Sequence, residues 1–207
     1  MSIFQKSDIG AQAAWKGFSS QTLYIASRLI SDEGGYEYYP EDIEDLVVKK
    51  NGAIVEAVQV KNISADLTLS SLAATKTSKG GEGFFNRMCS LHAQNPFFHR
   101  IKVVYFNTLG VELQEMQSGK AVTQKALTKR LVDKHGLSES EAVWLIDSLC
   151  FEKVNLDDLD LNIQTQISDY VPVMSAPALA KDLLIQYISV LSKSKGYTTL
   201  KMWQDKI

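Results

Sequence analysis

The 207-residue sequence has few cysteines and no long apolar run, and each of these absences excludes a class of protein. Two cysteines, Cys89 and Cys150, are too few for a disulfide framework, so the cytosol is the expected compartment. No stretch approaches the ~18 consecutive apolar residues that a membrane-spanning helix needs. The N-terminal segment lacks a basic start followed by an apolar run, which predicts no signal peptide. We therefore expect a cytoplasmic protein with no membrane partner.

The sequence also lacks a strong excess of charge of either sign. Its net charge is -2, with 45% hydrophobic and 22% charged residues, as in ordinary globular proteins of one or two domains. The charge is uneven, because residues 62–135 are basic and the segments on both sides are acidic. This distribution suits a metal-dependent site beside a phosphate-binding surface, and it also arises when solvated faces differ in charge by chance. Composition leaves both interpretations open.

Local signatures of ATP and zinc sites are missing as well. The run Gly80-Gly81-Glu82-Gly83 matches neither a P-loop nor a dinucleotide-binding fingerprint. Cys89 and His92 form one pair of potential zinc ligands, whereas a structural zinc site takes four. We therefore expect neither an ATP site nor a zinc site.

Apolar periodicity predicts an α/β fold in which a central mixed sheet is flanked by helices. Predicted helices cover 12–31, 69–77, 83–94, 119–135, 138–150, 156–170 and 176–194, and predicted strands cover 36–39, 43–48, 53–60, 101–106 and 151–154. Strands dominate the first half and helices the second. We therefore predict a core over 1–115 and a helical extension packed on it over 116–207.

Polar residues meet at the end of a predicted hairpin. Asn51-Gly52 favours a tight turn between two strands, because both residues tolerate positive φ. Strand alternation then places Gln59 and Lys61 on one face, and the turn brings Asp45 opposite them. A carboxylate and an amide oxygen suit Mg²⁺, and a nearby lysine can orient water or counter charge on a phosphate. The alternative is a surface hairpin end with ordinary polar residues.

This pattern, Asp45…Gln59-Val60-Lys61, resembles the metal-binding motif of the PD-(D/E)XK nuclease superfamily, in the variant where Gln replaces an acidic residue. Further similarity is to the double-stranded-DNA nuclease domain of bacterial anti-phage effectors of the CBASS and STAND types. It is carried by Gly17-Phe18-x-x-Gln21, Glu41-x-x-Glu44-Asp45 and the strand VVYF followed by Asn107. The proline that usually precedes the first aspartate of the motif is absent, since Glu44 precedes Asp45.

The resemblance implies a restriction-endonuclease-like core and a set of site residues. Asp45, Gln59 and the carbonyl of Val60 would bind Mg²⁺, or Mn²⁺ in its place, and Lys61 would serve the attacking water. Supporting positions are implied for Gln21 and Glu41. Contacts to the DNA backbone are expected from the basic middle segment, at Lys76, Lys79, Arg87 and Arg100. Glu44 and Glu56 would be structural, because alternation points them away.

We therefore expect a Mg²⁺-dependent endonuclease that cleaves double-stranded DNA as the effector domain of an anti-phage protein. A sensor or NTPase module is expected elsewhere in the parent protein, and a homo-oligomer would place two sites together for a double-strand cut. The alternative is a catalytically inactive nuclease-like domain used for DNA binding or assembly. A purely structural domain would leave the polar residues at 45–61 unexplained.

Overall fold

A five-stranded mixed sheet forms the centre of the computed structural model, which describes residues 3–74, 82–119, 121–170 and 177–206. The strands follow one another across the sheet in chain order: β1 (Glu37–Pro40), β2 (Leu46–Lys50), β3 (Ala53–Lys61), β4 (Ile101–Tyr105) and β5 (Leu149–Lys153). Strands β1, β2 and β3 pair antiparallel, and β3, β4 and β5 pair parallel. The predicted mixed sheet is therefore confirmed, and its pairing mode changes at β3.

Helices cover both faces of this sheet. They are α1 (Ile3–Ile30), α2 (Leu69–Ala73), α3 (Phe84–Gln94), α4 (Val111–Gln117), α5 (Ala121–His135), α6 (Glu139–Ser148), α7 (Leu156–Tyr170), α8 (Pro177–Ser194) and α9 (Leu200–Gln204). The α/β class with a mostly helical second half is confirmed. None of the helices in the described ranges combines the length and apolarity needed to cross a bilayer.

Two apolar cores lie on the two faces of the sheet. On one face, side chains of α1, α7, α8 and α9 pack on alternate strand residues such as Val58 and Val104. On the other face, α2 to α6 pack on Ala57, Ile101 and Val103. Alternation along each strand therefore separates the helices into two layers. The strands between them are apolar on both faces, as expected for a sheet covered twice.

The hairpin between β2 and β3 turns at Asn51-Gly52, as predicted. Asn51 has φ 53° and Gly52 has φ 79°, so both central residues of the turn are in the left-handed region. Lys50 pairs with Ala53 directly across the turn. A shift in the register lies between Val48 and Lys49, after which Val47 pairs with Ala57 and Leu46 with Val58. This register fixes which residues face each other at the far end of the hairpin.

Several element bounds differ from the sequence-based expectation. Helix α1 begins at Ile3 rather than near residue 12, and the short helices α4 and α9 were not predicted. The helix expected to run to residue 150 ends at Ser148, because Leu149 to Lys153 pair with β4 as strand β5. The strand therefore starts two residues earlier than predicted.

Candidate functional site

The candidate site lies where β2 and β3 part, and we call Asp45, Gln59, Val60 and Lys61 the polar corner. The last pair of the β2–β3 ladder is Leu46 with Val58, so Asp45 comes opposite Gln59. The amide Nε2 of Gln59 donates to Oδ2 of Asp45. Both side chains are buried, with Asp45 3% and Gln59 1% exposed. The structure thus brings together the two residues that strand parity placed opposite each other.

The backbone explains why a side chain with an acceptor oxygen is needed at position 45. Past Val58, β3 still pairs with β4 but no longer with β2, so backbone groups on the β2 side lose their ladder partners. The Val60 N–H donates to Oδ2 of Asp45 at 2.8 Å, which satisfies a buried donor. Asp45 therefore has a structural role: its side chain accepts a backbone hydrogen bond at the point where the pairing of β2 with β3 stops.

Helix α1 is tied to this corner through Gln21 and Glu41. The Nε2 of Gln21 donates to Oε1 of Glu41 at 2.6 Å and to the carbonyl oxygen of Asp45 at 3.2 Å. The N–H of Glu41 donates to the same carbonyl at 3.1 Å. Glu41 has φ 54°, a conformation that costs a non-glycine residue about 1 kcal/mol or more. These bonds hold the strained turn and place Gln21 and Glu41 beside Asp45.

Lys61 is the last residue of β3 and shares the sheet face of Gln59 by alternation. It pairs in register with Tyr105, the last residue of β4, so the carboxyl ends of two parallel strands meet beside the polar corner. The loops that follow them are joined, because Nδ2 of Asn107 donates to the carbonyl of Ser64 at 2.7 Å. In open α/β sheets, ligands bind outside the carboxyl ends of strands where the topology switches.

Glu44, next to Asp45, forms a buried ion pair with Arg87 of α3. Arg87 Nε lies 2.7 Å from Glu44 Oε1, and the side chains are 7% and 0% exposed. Arg87 also donates through Nη1 to the carbonyl of Glu82 at 2.5 Å. The prediction that Arg87 contacts a DNA backbone is wrong, since its guanidinium is buried and already paired. Its spacing from Phe84 and Leu91 on the apolar face of α3 was the signal for burial.

The other expected phosphate contacts do not gather at the corner. Arg100 precedes β4 and so lies at the opposite end of that strand from Tyr105 and Lys61, about 15 Å away along the strand. Its Nε is 3.1 Å from Oε1 of the buried Glu56, which accords with a structural place for Glu56. This position corrects the expectation that Arg100 flanks the site. Lys76 and Lys79 lie outside the described residues.

A metal ion would find few protein ligands here. Across the described ranges, no group of three or more His, Cys, Asp or Glu side chains converges to hold one. The polar corner offers the Asp45 carboxylate, the Gln59 amide and the Val60 carbonyl. Mg²⁺ characteristically keeps waters and is held by one or two carboxylates together with ligand phosphates. The residues therefore fit Mg²⁺ only when a phosphate ligand supplies further oxygens.

Comparison with known proteins gives structural neighbours only. The chain matches no protein-family model and no curated protein. It resembles the Acinetobacter baumannii Cap4 SAVED/CARF-domain containing receptor in structures with the cyclic trinucleotides 2'3'3'-cAAA (TM-score 0.56) and 3'3'3'-cAAA (TM-score 0.58), each at 18% identity over 91% of this chain and 43% of that chain. A third structure of that receptor gives TM-score 0.55 at 17% identity over 91% of this chain and 45% of that chain.

These neighbours correct the function expected from the sequence motif. These three structures are described as SAVED/CARF-domain containing receptors, two of them with a cyclic trinucleotide, and not as PD-(D/E)XK nucleases. The expected double-stranded-DNA endonuclease, with its alternative of an inactive nuclease-like domain, is therefore contradicted. The chain spans less than half the length of these receptor chains. The chain therefore shares its fold with one part, less than half in length, of a Cap4 SAVED/CARF-domain containing receptor.

Proposed function

We propose that the chain is one domain of a cyclic-oligonucleotide receptor of bacterial anti-phage defence, acting in the cytosol. The observation that carries this proposal is the fold, which is shared over 91% of the chain with a receptor solved with cyclic trinucleotides. The anti-phage setting is supported by the sequence motifs that resemble CBASS effectors. The parent protein would carry further modules, since those receptor chains are more than twice as long as the aligned part.

We place the ligand contact at the polar corner. A cyclic oligonucleotide presents one negative charge per phosphodiester, and the corner lies at the carboxyl ends of β3 and β4 where such groups bind. The Asp45 carboxylate and the Val60 carbonyl would hold Mg²⁺, which would supply positive charge toward a phosphate, and the Lys61 ammonium would add a second positive charge. Because Asp45 and Gln59 are buried, these charges act with less screening than at an open surface.

Calorimetric titration with 3'3'3'-cAAA tests this function. In Mg²⁺ we expect Asp45→Asn and Lys61→Met each to weaken binding about ten-fold or more, as loss of a charge-assisted contact does. Asp45→Asn keeps an oxygen that can accept from the Val60 N–H, so the fold is retained. Asp42→Asn is the matched control, because Asp42 is exposed and three residues away, and its affinity should equal that of the unmodified chain. Chelation of Mg²⁺ should weaken binding as much as Asp45→Asn.

Two further arms separate the receptor from other phosphodiester-binding proteins. A linear tri-adenosine nucleotide should bind more weakly than the cyclic one, because it loses more conformational freedom. A DNA duplex, added at a concentration that supplies the same number of phosphate groups, should not compete with the cyclic ligand. Absence of cyclic-trinucleotide binding, or Mg²⁺-dependent loss of supercoiled plasmid in the presence of the chain, would overturn the proposal.

A further inference from the structure

Helices α5 and α6 enclose an open groove far along the chain from the polar corner, with a volume of about 560 Å³. We call it the α5–α6 groove. Its floor is apolar, formed by Val132 of α5 and by Val143 and Ile146 of α6. Val143 is 45% exposed although it is a large apolar residue between two helices. The floor therefore presents apolar surface to water, which is the part of a surface that gains most from being covered.

The two walls of the groove carry opposite charges. Lys125 and Lys129 lie one turn apart on α5, and Glu139 and Asp147 lie on α6. No hydrogen bond or ion pair joins any of these four side chains to the other described residues. The charges are therefore available to a partner, positive along one wall and negative along the other.

We propose that the α5–α6 groove docks an amphipathic helix of a partner protein. The apolar face of that helix would cover Val143 and its neighbours on the floor. An acidic flank would face Lys125 and Lys129, and a basic flank would face Glu139 and Asp147. Charge complementarity selects this occupant, because a helix can present a negative flank to Lys125 and Lys129 and a positive flank to Glu139 and Asp147, whereas the phosphates of a nucleotide match the basic wall alone.

The dimensions of the groove agree with this occupant. The 15 residues of α5 and the 10 residues of α6 span about 22 Å and 15 Å. A third helix of roughly ten to fourteen residues fills such a length, and it reads the groove with anchors at i, i+3, i+4 and i+7. The inference concerns a surface other than the polar corner and does not depend on the function proposed for that corner.

Three synthetic fourteen-residue helical peptides test the proposal by fluorescence anisotropy with the full chain. All carry the same leucine face, and their two flanks are Glu with Lys, Glu with Glu, or Lys with Lys. The mixed peptide should bind tightest, and each uniform peptide about five- to ten-fold more weakly, because one flank then meets a wall of its own sign. A mixed peptide with its two flanks exchanged cannot serve as the control, because it would match both walls by binding in the opposite direction. Both uniform peptides are therefore needed.

Variants of the chain complete the experiment. Val143→Asp should weaken binding of the mixed peptide about ten-fold or more, whereas Val190→Asp, the same change at an exposed valine of α8, should leave it unaltered. Lys125→Glu with Lys129→Glu should move the preference to the Lys–Lys peptide, and both positions are exposed, so this variant folds. Equal affinity for all three peptides, an unchanged preference in the double variant, or displacement of the mixed peptide by 3'3'3'-cAAA would overturn the proposal.

Discussion

Glu44 and Arg87 show how strongly a single buried charge constrains this chain. Arg87→Met removes the partner of the Glu44 carboxylate, which is 0% exposed and whose Oε2 has no hydrogen-bond partner among the residues that the structure describes. An uncompensated buried charge of this kind costs about 3–5 kcal/mol. We expect a loss of that size in the free energy of unfolding, measured by urea denaturation.

The double variant Glu44→Leu/Arg87→Met is the matched control for this pair. Its loss should be clearly smaller than that of Arg87→Met, because no charge is left unpaired and the volume is largely kept. If the single and double variants lose equal stability, the packing of Arg87 matters and its charge does not.

The sequence predicted contacts between residues better than it predicted what each residue does. Parity along β3 and the Asn51-Gly52 turn placed Gln59 opposite Asp45, and the structure shows them in contact. The same alternation carries no information about a partner on another element, so the burial of Arg87 against Glu44 was not foreseen. A short motif likewise describes local geometry, and the nuclease function inferred from it is contradicted by the neighbouring folds.

Among the helices, α6 has a well-defined start that depends on two side chains. Oγ of Ser138 accepts from the N–H of Glu141, and the Glu141 carboxylate accepts from the N–H of Ser138 at 2.8 Å. Ser138→Ala should lower the free energy of unfolding by about 1 kcal/mol, because helix donors lose their acceptor. Ser138→Asn keeps a capping oxygen and should lower the free energy of unfolding by only a few tenths of a kcal/mol. Equal losses would mean that the cap does not stabilise α6.

The same cap makes a prediction for pH. Hydrogen bonds from Ser138 lower the pKa of Glu141 below its ordinary value of 4.5. A carboxylate whose pKa is lower in the folded state stabilises that state above its unfolded pKa and loses this effect as the pH falls through its folded pKa. The stability difference between the unmodified chain and Glu141→Gln should therefore be present at pH 7 and vanish at acid pH. A difference that stays constant over this range would show that the charge of Glu141 plays no part.

Elements with strong periodicity or special turn residues could be predicted, whereas the short helices α4 and α9 could not. Helices α4 and α9 have seven and five residues, too few for an apolar period to emerge. Strand β5 follows α6 without a break, and only its pairing with β4 decides where helix gives way to strand. Such boundaries depend on tertiary contacts that local sequence does not encode.

At the scale of the whole molecule, two crossovers explain why the helices form two unequal layers. The connections from β3 to β4 and from β4 to β5 join parallel strands, and connections of this kind are right-handed in about 98% of cases. Because the strands advance in one direction across the sheet, both crossovers place their helices, α2 to α6, on the same face. The opposite face is covered by α1 and by α7 to α9. These helices come from the two ends of the described chain and pack together in one core.

A charged network buried on that opposite face ties both halves of the molecule together. Oε2 of Glu56 in β3 is 2.9 Å from Nη2 of Arg28 in α1, and Oε1 of Glu56 is 3.8 Å from Nζ of Lys102 in β4. Nζ of Lys102 is in turn 2.7 Å from Oε2 of Glu152 in β5. The same Oε2 accepts a hydrogen bond from the hydroxyl of Tyr24. Burial raises the pKa of Tyr24 well above its ordinary value, so its hydroxyl remains a donor. The network therefore links α1 to three strands, one of them from the second half.

The last prediction concerns the centre of this network. Glu56 is 3% exposed and is the shared ion-pair partner of three cations, so Glu56→Gln removes the negative charge that faces Arg28 and Lys102. We expect a loss of about 3 kcal/mol or more in the free energy of unfolding, because partly buried positive charges lose their counter-charge. Arg100→Ala is the control: this side chain is 58% exposed, and an exposed ion pair contributes about 1 kcal/mol or less. Urea denaturation of both variants measures the difference. A Glu56→Gln loss no larger than that of Arg100→Ala would show that apolar packing alone holds the two halves on the sheet.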